Sequence, residues 1–165
     1  MYQVELKRAL VERLFPAAKG WKVTVDLDAM EMGKGPQNPQ RKRLVAKKAR
    51  RWLEREGVRL EPHKRFGRAD LVAEHPRRGA VVLEVEGDSS RQQEQALYSA
   101  LGQLVLSIQG SGGKIRYGLA VPNTAPWRRH LAKIPGVVRK RLRLELMLVS
   151  RRSVQIVRPS DPFPS

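Results

Sequence analysis

The chain has 165 residues, 33 of them Lys or Arg against 16 Asp or Glu, for a formal charge of +17. Hydrophobic residues make up 41% of it, enough for one domain with a real core and too many for a disordered chain. Such an excess of cations favours a polyanionic partner, nucleic acid above all, because neutralised phosphates release counterions, and the lack of cysteine excludes disulfides and thiolate metal sites.

In chain order, residues 3–15 put Val4, Leu6, Leu10, Val11 and Leu14 on helical spacing, and Pro16 ends the helix. This opening has no long apolar core of a secretory signal and no later segment approaches a membrane span, so a cytoplasmic protein without a membrane partner is expected. WKVTVDLD (21–28) alternates as a strand. GKGPQNP (33–39) is loop-forming, and Asn38-Pro39 has the order of a helix start. Residues 40–56 then form a strongly basic helix with Val45, Ala49, Trp52 and Leu53 to one side.

Three extended segments follow, 58–64, 68–74 and 80–86, the last two joined by the compact turn HPRRG. Ser90 with Gln93 makes a capping box for a helix over 90–108, along which Leu97, Leu101, Leu104 and Ile108 recur. GSGGK (110–114) breaks it, and IRYGLAV (115–121) is a buried strand. Thr124 caps a short helix ending at Pro135-Gly136, 142–149 and 153–157 read as strands, and 159–165 form a flexible tail. Helix, three-strand meander, helix and strand in that order give an α/β fold, one domain over 1–158.

Five of the acids lie between positions 70 and 88. In VVLEVEG (81–87), Glu84 and Glu86 face the same way about 7 Å apart by the strand rise. Bare carboxylates at that distance repel by about 2 kcal/mol at an effective dielectric near 20. Pairing 68–74 with 80–86 around the turn brings Asp70 to the same place. A hard divalent cation answers such a meeting, since Mg²⁺ takes oxygen ligands, one or two carboxylates among them. An exposed sheet face whose acids pair with Arg68, Arg77 or Arg91 answers it equally well. On the following helix Gln95, Ser99 and Gln103 form one polar stripe, and Gly102 is suited to close packing.

Basic runs supply the backbone contacts expected for DNA: Arg41, Lys42 and Arg43; Lys47, Lys48, Arg50 and Arg51; Arg128 and Arg129; Arg139, Lys140 and Arg141. Aromatic residues are only 5%, which gives little support to base stacking on single strands. GSGGK runs from helix into strand and is not a phosphate loop. His63, His75 and His130 have no ligand spacing.

GRAD (67–70), EVE (84–86) and a helix opening SSRQQEQ closely resemble the PD-(D/E)XK nuclease superfamily. Residues 41–121 carry the resemblance. Up to Gly87 they are similar to the helix and meander of small Holliday-junction resolvases and restriction-type nucleases. SALGQLVL and YGLAVP are similar to XisH-type excision-controlling factors. The resemblance implies a restriction-endonuclease-like core with an N-terminal helix-strand and C-terminal strands added. It also implies Mg²⁺- or Mn²⁺-dependent hydrolysis of DNA phosphodiesters, with Asp70, Glu84 and the Val85 backbone carbonyl as metal ligands.

Glu86 stands where the superfamily has lysine, so it would bind a second metal or act as a general base through water. Lys64 or Arg91 would supply the missing positive charge, and Gln95 or Gln103 would bind phosphate or a metal-bound water. The helix glutamate of resolvase-like members falls at Ala46 if the basic helix serves, and at Glu5 if the first helix does. Many relatives cut as homodimers. Two readings stay open: an active endonuclease, or a DNA-binding accessory protein that kept the fold and lost turnover.

Overall fold

A computed structural model describes residues 1–33, 40–88, 92–109 and 114–164. Its centre is a six-stranded sheet in sequence order: β1 (Lys22–Val25), β2 (Leu71–His75), β3 (Gly79–Val85), β4 (Ile115–Pro122), β5 (Leu144–Val149) and β6 (Val154–Val157). The pairs β1–β2, β2–β3 and β5–β6 are antiparallel, whereas β3–β4 and β4–β5 are parallel. Five helices accompany it: α1 (Gln3–Leu14), α2 (Gln40–Arg55), α3 (Gln93–Ser107), α4 (Ala125–Ala132) and α5 (Gly136–Leu142).

The strands read as near-continuous apolar runs because both faces of the sheet are covered. On one face Leu6, Leu10 and Val11 of α1 pack over Leu71, Val81, Leu83 and Val85. On the other, Leu97, Ala100 and Leu104 of α3 and Trp127 and Leu131 of α4 pack over Val72, Val82, Leu119 and Leu146. The basic helix α2 does not lie on the sheet. Its small buried residues Ala46 and Ala49 rest on Val4 of α1, and its cations point outward.

The expected order of helix, antiparallel meander, helix and parallel strand is present, but α1 and β1 supply its first two members. Residues 58–64, expected as a strand, contribute only two isolated bridges, Arg59 to Thr24 and His63 to Gly67. Pro62 cannot donate to a ladder, and the chain turns back between His63 and Gly67, which bond to each other. The basic helix is therefore an insertion between β1 and β2. The Asn38-Pro39 helix start, the Ser90 cap and most of GSGGK lie outside the described residues.

Two further expectations are corrected. Residues 136–142 form a helix, α5, so the strand expected over 142–149 begins only at Leu144. The tail is held to the domain: Arg139 donates to the Asp161 carbonyl at 3.2 Å, and Phe163 packs against the core beneath α3 and α4.

Candidate active site

Leu71 pairs with Leu83 at the last step of the β2–β3 register, so one further step sets Asp70 opposite Glu84. There the Asp70 side chain replaces backbone pairing: Oδ2 accepts the Val85 N–H at 2.9 Å. In an extended strand a residue's N–H and C=O face the same neighbour, so the Val85 carbonyl faces the side from which Asp70 reaches in. The sequence-expected meeting of Asp70, Glu84 and Glu86 is formed at this open end of the sheet, around a cleft of about 500 Å³.

Helix α1 closes the inner wall with two residues that the sequence reading did not single out. Gln3 Nε2 donates to both Asp70 oxygens at 3.3 Å. Lys7, buried completely, sets its Nζ 2.7 Å from Asp70 Oδ1 and 2.5 Å from Glu31 Oε1, and donates to the Asp26 carbonyl at 2.6 Å. All three ammonium protons thus have acceptors. Gly87 makes this approach possible, because a Cβ there would lie 2.7 Å from the Gln3 nitrogen. Lys7 did carry a sequence signal, since it interrupts the apolar stripe Val4, Leu6, Leu10, Val11 from inside. Glu31 carried none, because its place depends on the turn that follows β1.

The electrostatics are those of a site with too many carboxylates for its cations. Burial, then the Asp70 charge and a hydrogen bond with Asp70, push the Glu84 carboxyl up to about 9. Burial, then Asp70, push Glu86 up to about 7, and burial pushes Glu31 to about 7 against the pull of Lys7. Burial alone would lower the Lys7 pKa, but Asp70 and Glu31 together raise it. At neutral pH Lys7 is charged, Glu84 holds its proton, and Glu31 and Glu86 are near half-titration.

The cleft carries several carboxylate oxygens, the type of ligand that a hard divalent cation takes. Carboxylates with raised pKa values release protons to one, and the buried Glu31 Oε2 has no hydrogen-bond partner among the described residues. Mg²⁺ commonly takes one or two carboxylates and completes its shell with water or phosphate. Among the described residues no three acidic or histidine side chains are grouped so as to hold a metal by themselves.

Of the supporting candidates, Gln103 lines the cleft together with Leu106 and Ser107 of α3, facing Asp26, Asp28 and Arg68. Gln95, two turns earlier, is exposed and not among the cleft residues, and Lys64 is exposed on the 63–67 turn, also away from it. Arg91 lies outside the described residues. The Glu5 carboxylate faces another way, accepting the Tyr2 N–H at 2.8 Å as a helix cap beside a separate cleft. Ala46 is buried between α1 and α2.

Of the expected DNA contacts, Arg41, Arg43, Lys47, Lys48, Arg50 and Arg51 are exposed on α2, with Lys42 half-buried. Arg50 pairs with Glu54 at 2.9 Å, and Arg43 donates to the Gly33 carbonyl at 2.8 Å. Arg129, Lys140 and Arg141 are exposed, while Arg128 is half-buried and donates to Asn123 at 2.8 Å. Arg139 is a correction: it is 6% exposed, and its guanidinium is used on the Arg158 and Asp161 carbonyls, so it presents no charge to an external phosphate.

No protein-family model and no curated protein matches the chain. Among solved structures it is similar to an XisH family protein from Nostoc punctiforme PCC 73102, with 14% identity and a TM-score of 0.44 over 92% of this chain and 91% of that one. The chemistry therefore rests on the side chains above. Among the described residues no helix is long and apolar enough to cross a membrane.

Proposed function

We propose that the chain is a metal-dependent endonuclease hydrolysing DNA phosphodiester bonds at the Asp70–Glu84–Glu86 cleft. The observation that carries this reading is the convergence of these three carboxylates at one sheet end, in a chain of charge +17. Asp70, Glu84 and the Val85 carbonyl would hold Mg²⁺ or Mn²⁺, which when bound supplies Lewis acidity toward a phosphate oxygen and a more acidic water. Glu86, with its pKa near 7, accepts a proton from water in the cleft at neutral pH, where a general base is most effective. Lys7 holds the Asp70 carboxylate in place from α1, where the resembling superfamily has a strand lysine. The Gln103 amide offers a hydrogen bond to a phosphate from the α3 side, Arg68 stands at the mouth, and the exposed cations of α2 attract the duplex without reading sequence.

One observation favours the second reading, a DNA-binding accessory protein without turnover. The Lys7 ammonium already occupies Asp70 Oδ1, and Asp70 Oδ2 is held by the Val85 N–H, so a fixed internal cation stands where a metal would compete. Incubation with supercoiled, linear and branched DNA in Mg²⁺ or Mn²⁺, beside Asp70→Ala, separates the two. Cleavage that needs both the ion and Asp70 is expected. Salt-sensitive binding without metal-dependent cleavage on any substrate would sink the enzyme reading, and equal cutting by Asp70→Ala would sink the site.

A further inference from the structure

Strands β4 and β5 end at Pro122 and Val149, and at these ends lies a second cleft, of about 470 Å³. The start of α1 adjoins both clefts: Gln3 lines the one at Asp70, while Tyr2 and Glu5 line the second. Ligands of open α/β sheets bind outside the carboxyl ends of the strands, which is where this second cleft opens.

We propose that it holds an internal phosphate of the same DNA strand that enters the Asp70 cleft. Its place beside a scissile bond rests on the proposed function; its affinity for phosphate does not.

Three groups supply donors. Arg41 of α2 and Arg151 of the β5–β6 turn both line the cleft, and neither guanidinium is paired among the described residues. Asn123 lines it too, and its Oδ1 accepts Arg128 Nε at 2.8 Å. That bond fixes which way the amide is turned and leaves the NH2 group as the donor on offer. Thr124, expected as a helix cap, makes no cap bond, and its buried hydroxyl has no partner among the described residues. The two acids of the cleft are already engaged: Glu5 accepts the Tyr2 N–H at 2.8 Å, and Asp88 lies 2.7 Å from the Met1 nitrogen.

The turn that carries Arg151 is held in advance. Arg13 of α1 donates to the Ser150 carbonyl at 2.8 Å and to the Arg151 carbonyl. Ser150 Oγ accepts the N–H groups of Arg152 and Ser153 at 3.2 and 2.9 Å. A backbone fixed before binding lowers the ordering cost of the complex.

The chemistry of the donors selects the occupant. Two planar guanidinium forks and an amide match phosphate oxygens, and a chain of charge +17 draws a polyanion to them. A helix is about 10–12 Å across with its side chains, and one strand of DNA advances about 3.4 Å per nucleotide. A strand crossing the start of α1 therefore sets phosphates about three nucleotides apart in the two clefts.

Anisotropy of a labelled short DNA strand, read in chelator without divalent ions, tests the site apart from turnover, so an absence of cleavage would leave the result readable. Asn123→Asp keeps the side-chain shape and the acceptor for Arg128 but sets a carboxylate against the phosphate. Affinity should fall about tenfold or more while the thermal midpoint stays as in wild type. Arg151→Ala should reduce the salt slope by about 1, whereas Arg152→Ala, exposed beside it but outside the cleft, should leave the slope intact. Strands with and without a terminal phosphate should bind alike. Wild-type affinity in Asn123→Asp, or an unchanged slope in Arg151→Ala, overturns the proposal. Affinity that depends on the terminal phosphate overturns the internal placement.

Discussion

Replacing Lys7 with methionine tests the electrostatic account of the cleft directly. The change keeps most of the side-chain volume but removes a cation that touches Asp70, Glu31 and the Asp26 carbonyl, all within 2.7 Å. Breaking a buried ion pair from one side costs about 3–5 kcal/mol, since the remaining charge stays buried. In a domain of this size, at about 2–4 °C per kcal/mol, the thermal midpoint should fall by roughly 6–20 °C at pH 8. The loss must depend on pH. Glu31, Glu84 and Glu86 titrate above their ordinary value of 4.5 in the folded state. Stability from their protonated forms is therefore fully present below about pH 4.5 and is lost as pH rises, through about 7 for Glu31 and Glu86 and about 9 for Glu84. Lys7 lowers all three pKa values, so without it the decline continues to higher pH, and the gap between variant and wild type should stay constant up to about pH 7 and widen above it, where Glu31 and Glu86 titrate in the wild type. Calorimetry at pH 4.5, 6 and 8 measures it. The double change Lys7→Met with Glu31→Gln should recover part of the loss, because both buried partners then become neutral. An equal loss at every pH would mean that Lys7 acts by packing alone, and an unchanged midpoint at pH 8 would refute the buried ion pair.

Two further outcomes follow from the same geometry. Mn²⁺ binding should release about one proton per ion near pH 8, because Glu84 is still protonated there, and Glu84→Gln should abolish that release; calorimetric titration in buffers of different ionisation enthalpy reads it, and release unaffected by the substitution refutes Glu84 as a ligand. Arg139→Met should cost about 1–3 kcal/mol of stability through orphaned carbonyls yet leave the salt dependence of DNA binding intact, whereas Lys47→Ala should leave stability intact and reduce the salt slope by about 1; the reverse pattern would refute the burial-based assignment.

What the sequence made legible follows from the range of the interactions involved. The β2–β3 hairpin sets its own register through a turn of three residues, so Asp70 opposite Glu84 could be counted from the turn. The leucine repeat of α3 and the valine runs of β3 and β4 likewise show their burial locally. The first helix of the core could not be chosen in this way. Both α1 and α2 are amphipathic, but α1 covers the sheet through Leu6, Leu10 and Val11, whereas α2 rests Ala46 and Ala49 on Val4 of α1 and reaches that core only through Leu53 and Trp52. Residues 58–64 had the composition of a strand, but Pro62 and the His63–Gly67 turn prevent a ladder, a tertiary outcome that propensity does not report. Arg139 read as one more surface cation because its acceptors, the carbonyls of Arg158 and Asp161, lie nineteen and twenty-two residues on.

Glu86 also changes its meaning once Lys7 is in view. Judged along the strand alone, a glutamate in place of lysine removes the only cation next to two acids, and an inert remnant is the natural conclusion. Across the fold, however, an ammonium reaches Asp70 from α1 through a helix start that Gly87 allows to come close. The strand position is then released from supplying charge, and its burial beside Asp70 brings the Glu86 carboxyl to a pKa at which it can exchange protons with water at neutral pH. Lys7, Glu31 and Glu84 are buried at this sheet end with Asp70 and Glu86 half-buried beside them, although apolar side chains of similar volume would stabilise the same fold as well or better.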